Sequence, residues 1–401
     1  MQAVPSTSRA IHTCARAFAV PTRNSSLPGP RTSFAKVSKA GASVSADDST
    51  SKSHAVGIPG NVSVAHLPIL NPANMSIAEV GNAFVYSDTF TKSVVNTDLP
   101  KALRNDLAFT RQPTTILRYD AVELLKSLRP DAKLRRLLVG KSGSGRSTIL
   151  MQTIAYCKAS DWLVLYIPDA HKLVDGTYSY ALGESGQKVY EQRDLARLIL
   201  RKFIDCNGSL MKKLDGDVQQ SVKEGASDSS AAMKGFHALL QSHDTPNSPP
   251  LLVAIDAVEA LTKPSLYLSN QAGLLHPTRL SVPNLLLSYI SGQQILSKGA
   301  LVAATDEPGG VLPKNVQMQI GPLSLQEAAG IYRHLSEISL LTAEGLSDSA
   351  FMEAFVGSDG NAQLFTRGLR AIHGGTARGV VKKGRRRGIA LRADTLLTVT
   401  V

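Results

Sequence analysis

The stretch Leu137 to Leu150, LLVGKSGSGRSTIL, constrains this chain more than any other. A short apolar run meets Gly140-Lys141-Ser142-Gly143-Ser144-Gly145-Arg146-Ser147, then Thr148 and a helix-like segment. The frame is that of a phosphate-binding loop, G-x-x-x-x-G-K-[ST], with arginine in the lysine position. Its glycines let successive backbone N–H groups turn inward around a phosphate. The helix beginning near Ser147 aims the positive end of its dipole at the same anion. The Ser147 hydroxyl is placed to ligate Mg²⁺. Arg146 keeps the positive charge, and its planar fork spans two oxygens where an ammonium would act as a point. The expectation is binding, with the geometry for phosphoryl transfer spoiled. Lys141, inside the loop, adds charge. The competing reading is a tight strand–helix turn that holds nothing.

A second element supports the loop. LLVAID (Leu251 to Asp256) reads as an apolar strand ending in an acid. An Asp there, opposite Ser147, holds Mg²⁺ through its water shell; otherwise it caps the next helix. Motor-type ATPases follow this Asp with a water-activating Glu, where this chain has Ala257, and Glu259 stands three residues beyond the Asp. Asp169 and Asp306 end neighbouring strands and read as caps or turns. No N-K-x-D element is present, so guanine selectivity of the small-GTPase kind is not legible. The base falls to Thr115–Tyr119 and the helical segment at the far end.

WLVLYIP (Trp162 to Pro168), ALVAAT (Ala300 to Thr305) and VQMQI (Val316 to Ile320) are further strand candidates. Uniformly apolar strands alternating with helices imply a parallel sheet covered on both faces. The fold class is therefore α/β, a P-loop sheet flanked by helices with a small C-terminal helical domain. The domains expected are a flexible linker at 47–86, a nucleotide-binding domain at 87–323 and a small helical domain at 324–375. Residues 206–250 are polar and read as a loosely packed insertion, with one helix near Met233–Gln241.

Both ends are basic. Residues 1–46 contain no Asp or Glu and six Lys or Arg, the composition of an organelle transit peptide. They hold half of the formal net charge of +12, so the remainder is basic too. From Arg367 to Arg392 nine Lys or Arg occur without an acid, including Lys382, Lys383, Arg385, Arg386 and Arg387. Such a run, in a tail taken as 376–401, suits contact with an RNA phosphate backbone. Three scattered cysteines form no metal or disulfide pattern. No apolar run reaches membrane-spanning length, and no membrane partner is expected.

The order of GKSGSGRST, DWLVLYIPDAHKLVDG, LLVAIDAVEAL and GALVAATDE resembles the death-associated protein 3 family of mitochondrial small-subunit ribosomal proteins. The Trp-strand ending in Ile167-Pro168-Asp169-Ala170 is its most distinctive part. The resemblance covers about 87–375. It implies an AAA+-like fold that binds a purine nucleotide, GTP or GDP before ATP, with Mg²⁺. It further implies a matrix location in the small mitochondrial ribosomal subunit, among its rRNA and neighbouring ribosomal proteins. The family's phosphate loop falls on Gly140–Thr148 and its acidic strand end on Asp256. GNAQLF (Gly360 to Phe365) resembles the family's helical-domain turn, with Gln363 where related ATPases carry a phosphate-sensing Arg and Arg367 nearby. The reading that follows is a ribosomal structural protein holding a nucleotide with little or no hydrolysis. An active organellar AAA+-type NTPase acting on nucleic acid or protein is the alternative, and a ligand-free scaffold a third.

Overall fold

Every apolar run read as a strand forms one. A computed structural model of the chain describes residues 66–95, 99, 103–104, 113–183, 189–241, 248–306, 314–338, 340–341 and 346–373. A short antiparallel pair, β1 (Ala83–Val85) and β2 (Thr114–Ile116), precedes the main sheet. Then come β3 (Leu134–Val139), β4 (Leu163–Ile167), a second small pair β5 (Ala181–Leu182) and β6 (Tyr190–Glu191), β7 (Leu251–Ile255), β8 (Gly299–Thr305) and β9 (Gln317–Gln319). Five of them make one sheet in the order β4–β7–β8–β3–β9, each pairing parallel.

Strand alternation builds a core on each face of this sheet. Leu137, Leu165, Val253 and Leu301 face one apolar cluster, and Leu138, Val164, Leu252 and Val302 face the other. The second face is covered by α1 (Tyr119–Ser127) and α2 (Arg146–Ala159), together with Trp162, whose N–H donates to the Cys157 carbonyl at 2.9 Å. The first face is covered by α3 (Arg193–Asn207), α4 (Gly216–Ser227), α5 (Ser229–Gln241) and α6 (Ser281–Ser291).

Two expectations are corrected here. The segment 206–250 is not a loosely packed insertion. It carries α4 and α5, whose Val218, Val222, Phe236, Leu239 and Leu240 are buried in the same core as α3. Apolar residues at helical spacing outweigh the polar composition, because only one face of each helix needs them. Nor does the linker extend to residue 86. Leu70, Met75, Val80, Phe84 and Tyr86 are buried against the second face, and the Ser-, Pro- and Gly-rich texture marks turns between them. Helix α3 starts only at Arg193, because Tyr190 and Glu191 are used by β6.

The helical domain comprises α7 (Leu325–Glu337), α8 (Asp348–Gly357) and α9 (Ala362–His373) around Leu335, Phe365 and Leu369. Val85 of β1 joins that core. Ser324 and Glu327 form a capping box that starts α7. Among the described residues no helix is long and apolar enough to cross a membrane. The expected organelle signal at 1–46, and the tail with Lys382, Lys383, Arg385, Arg386 and Arg387, lie outside the described residues.

Candidate nucleotide site

The loop leaves β3 and enters α2 in an open, left-handed turn. Gly143 has φ +82° and Gly145 φ +98°, a region L-residues avoid, so both positions require glycine. The Ser144 N–H closes the turn on the Lys141 carbonyl at 3.0 Å. Helix α2 begins at Arg146 and has no side-chain cap, so its first-turn amides remain available to an anion.

Above this loop lies a cavity of about 380 Å³, within the usual size of a small-ligand site. The loop and α2 form its floor, β2 one wall, and α7 and α9 the roof. Four arginines line it, Arg118, Arg146, Arg367 and Arg370, and among the described residues no carboxylate does. Met151, Ile331, Leu335 and Ile338 add apolar surface to the lining. The lining thus offers cationic groups for a polyanion and apolar surface for a flat group. His334 also lines the cavity, its Nε2 sharing a 2.9 Å hydrogen bond with Thr114 Oγ1, and burial lowers its pKa.

Of the loop residues expected to bind, Ser142, Gly143, Gly145, Arg146, Ser147 and Thr148 line the cavity. Gly140, Lys141 and Ser144 do not. A Cβ at Gly140 would lie 2.6 Å from Ser144 Oγ, so Gly140 serves the turn, while Lys141 is exposed. Asp256 lies behind the floor and is hydrogen-bonded to Ser147. Burial raises its pKa, opposed by the hydrogen bonds from Ser147 and the Ala257 N–H and by the Arg146 charge. Ser147 and Asp256 are the residues that would hold Mg²⁺.

Asp169 caps the short helix Ala170–Leu173, and Asp306 is exposed. Glu259 is buried and its Oε2 has no hydrogen-bond partner.

Sequence reasoning missed Arg118 and Asn361. Arg118, 3% exposed, donates from Nη1 to the Ser144 carbonyl (2.9 Å) and from Nε to Glu327 (2.9 Å). It lies in the segment expected to meet the base, yet its guanidinium is committed to the loop and to the helical domain. Asn361 donates from Nδ2 to the Ser142 carbonyl at 2.8 Å. A single sequence carries no signal for such contacts, which join Arg118 to Glu327 and Asn361 to Ser142 across more than 200 residues.

The family of mitochondrial ribosomal death-associated protein 3 matches residues 110–310. Among similar proteins are the small ribosomal subunit protein mS29 of Neurospora crassa (25% identity, 52% of this chain and 49% of the relative) and of Schizosaccharomyces pombe (26%, 47% and 43%). The Bos taurus protein of the same name is 26% identical over 36% of this chain and 37% of its own. The chain thus spans about half the length of these relatives or less. A solved Walker-type ATPase of Pyrococcus abyssi aligns with 63% of this chain and 66% of its own, with a TM-score of 0.37 and 14% identity. The match over residues 110–310 takes in the loop, the acidic strand end and four of the five sheet strands, and on it this chain belongs to the family of mitochondrial ribosomal death-associated protein 3.

Proposed function

We propose that this chain is a structural protein of the small subunit of the mitochondrial ribosome that holds a purine nucleotide as part of its fold. The ribosomal part rests on family membership and on the similarity to small ribosomal subunit proteins of three organisms. The nucleotide part rests on one observation: a cavity with a phosphate loop for its floor, lined by four arginines and by apolar side chains. GTP or GDP, which the family resemblance favours over ATP, is the ligand proposed. Mg²⁺, where bound, neutralises phosphate charge, with Ser147 and Asp256 as its protein ligands. A resident nucleotide stabilises the folded state by mass action without turnover. Arg146 in the lysine position and Ala257 after Asp256 favour holding over hydrolysis.

The basic tail is proposed to contact small-subunit rRNA through its phosphates, in the mitochondrial matrix, beside neighbouring ribosomal proteins. The test is location. A tagged copy should co-sediment with small mitochondrial ribosomal subunits at moderate salt, and denaturing the purified protein should release a nucleotide identifiable by chromatography. Sedimentation free of ribosomal subunits, together with multiple-turnover hydrolysis, would instead favour an active organellar NTPase.

A further inference from the structure

We propose that Asn361 and Arg118 are positioning residues that aim the amides of the phosphate loop and so couple the seating of the helical domain to nucleotide occupancy; this rests on the reading that the loop holds a polyphosphate. The argument starts from peptide geometry. A trans peptide is planar, so fixing the carbonyl of one residue fixes the N–H of the next in the opposite direction. Three successive loop carbonyls are fixed in this way. Ser142 accepts from Asn361 Nδ2 at 2.8 Å, Gly143 from the Gln363 N–H at 3.0 Å, and Ser144 from Arg118 Nη1 at 2.9 Å. The Gly143 N–H therefore points away from Asn361 and the Gly145 N–H away from Arg118. The Ser144 N–H between them is spent on the Lys141 carbonyl.

Two of the three donors belong to the helical domain, and the third is tied to it. Arg118 Nε donates to Glu327 Oε1 at 2.9 Å, and the same oxygen accepts from the Tyr119 N–H at 2.8 Å. Glu327 Oε2 accepts from the N–H and hydroxyl of Ser324. Glu327 is 2% exposed, so its charge and that of Arg118 depend on each other. Arg118 also reaches Asp120 and the Gly321 carbonyl. If the helical domain lifts, the Ser142 and Gly143 carbonyls lose their donors and Arg118 loses its Glu327 partner, so the amides lose their aim. By reciprocity, a ligand that binds the aimed amides holds the domain down.

Asn361 makes the idea testable, because its side chain has two separable jobs. Oδ1 caps α9, accepting from the N–H groups of Gln363 (3.1 Å) and Leu364 (3.0 Å), while Nδ2 alone reaches the loop. Asn361→Ser keeps a capping oxygen and removes the loop donor. Asn361→Asp keeps the shape and turns an acceptor toward the Ser142 carbonyl. Arg118→Lys keeps the charge but cannot serve Ser144 and Glu327 together.

The probes are tritiated GDP and ADP with Mg²⁺ on the full chain. The readouts are dissociation rate, melting temperature without nucleotide, and amide exchange in α9 with and without it. Wild type should bind one of the probes and show exchange in α9 slowed by it. Asn361→Ser should release nucleotide about 5- to 10-fold faster, the loss of one hydrogen bond, with the protection of α9 gone. Asn361→Asp and Arg118→Lys should release it faster still. Variants that bind like wild type, or that only lower the nucleotide-free melting temperature, would overturn the coupling while the nucleotide reading stands. Wild-type protein that takes up neither probe would overturn both.

Discussion

Gly143→Ala measures how tightly the loop is held. An L-residue in the left-handed region costs about 1–2 kcal/mol. The new Cβ would also lie 2.6 Å from Asn361 Oδ1 and 2.8 Å from Gln363 Cβ, closer than real contacts allow. Moving that turn aside weakens the Asn361–Ser142 and Gln363–Gly143 hydrogen bonds, each worth about 1 kcal/mol net. The whole penalty is then about 3 kcal/mol, a factor of roughly 100 in an equilibrium constant. It is divided between two measurements, the stability of the nucleotide-free protein by denaturant titration and the Kd for GDP with Mg²⁺ by equilibrium dialysis. Gly176→Ala is the control. It too has positive φ, +78°, but its Cβ would meet nothing nearer than 3.4 Å, an ordinary contact, and it does not line the cavity. That variant should lose about 1–2 kcal/mol of stability and no affinity. If Gly143→Ala costs no more than Gly176→Ala in the two measurements combined, the loop is not clamped and the geometry argued from it is wrong.

Phe236→Ala in α5 should cost about 3–5 kcal/mol of stability while a bound nucleotide is retained, because the helix belongs to the core and not to the cavity; a loss below about 1 kcal/mol in denaturant titration would return the segment to a loose insertion. Asp256 has its pKa raised in the folded protein, so protonating it stabilises the fold, and that contribution disappears as pH rises through its folded pKa. Asp256→Asn should therefore melt no lower than wild type at neutral pH without nucleotide, yet lose the Mg²⁺ dependence of nucleotide binding. In the wild type that dependence should fade, as pH falls, at a higher pH than for an ordinary carboxylate; a Mg²⁺ response intact in Asp256→Asn refutes the metal role. Replacing Lys382, Lys383, Arg385, Arg386 and Arg387 by Gln should flatten the salt dependence of binding to single-stranded RNA, by about 0.7 in log–log slope for each phosphate no longer neutralised. An unchanged slope would put the RNA-binding surface elsewhere.

The sheet was legible because its strands are buried on both faces and so read as unbroken apolar runs, Leu251–Ile255 being the plainest. The loop was legible because its chemistry is local: two left-handed glycines, a hydroxyl and the start of a helix within nine residues. Ser147 and Asp256 stand together because strand order in such folds brings the end of β7 close to the loop. What stayed hidden has a common cause. Strands β1 and β2 have three residues each, too few to establish a period. Helices α4 and α5 each carry one narrow apolar stripe, and the Gly, Ser and Asp around it dominate the composition. Arg118 and Asn361 act on carbonyls of the loop, and any sequence supplies carbonyls, so nothing in the loop announces its partners.

Trp162 is the chain's one tryptophan, and it is sealed beneath α2 just before the amino end of β4. Its indole emission therefore reports a single place. The cavity opens beside the loop, at the carboxyl end of β3, whereas this indole precedes the first residue of its strand. Emptying the site should leave the spectrum blue and steady, and parting the helices from the sheet should redden it. The molecule thus carries an internal optical gauge that separates a vacated protein from a melted one.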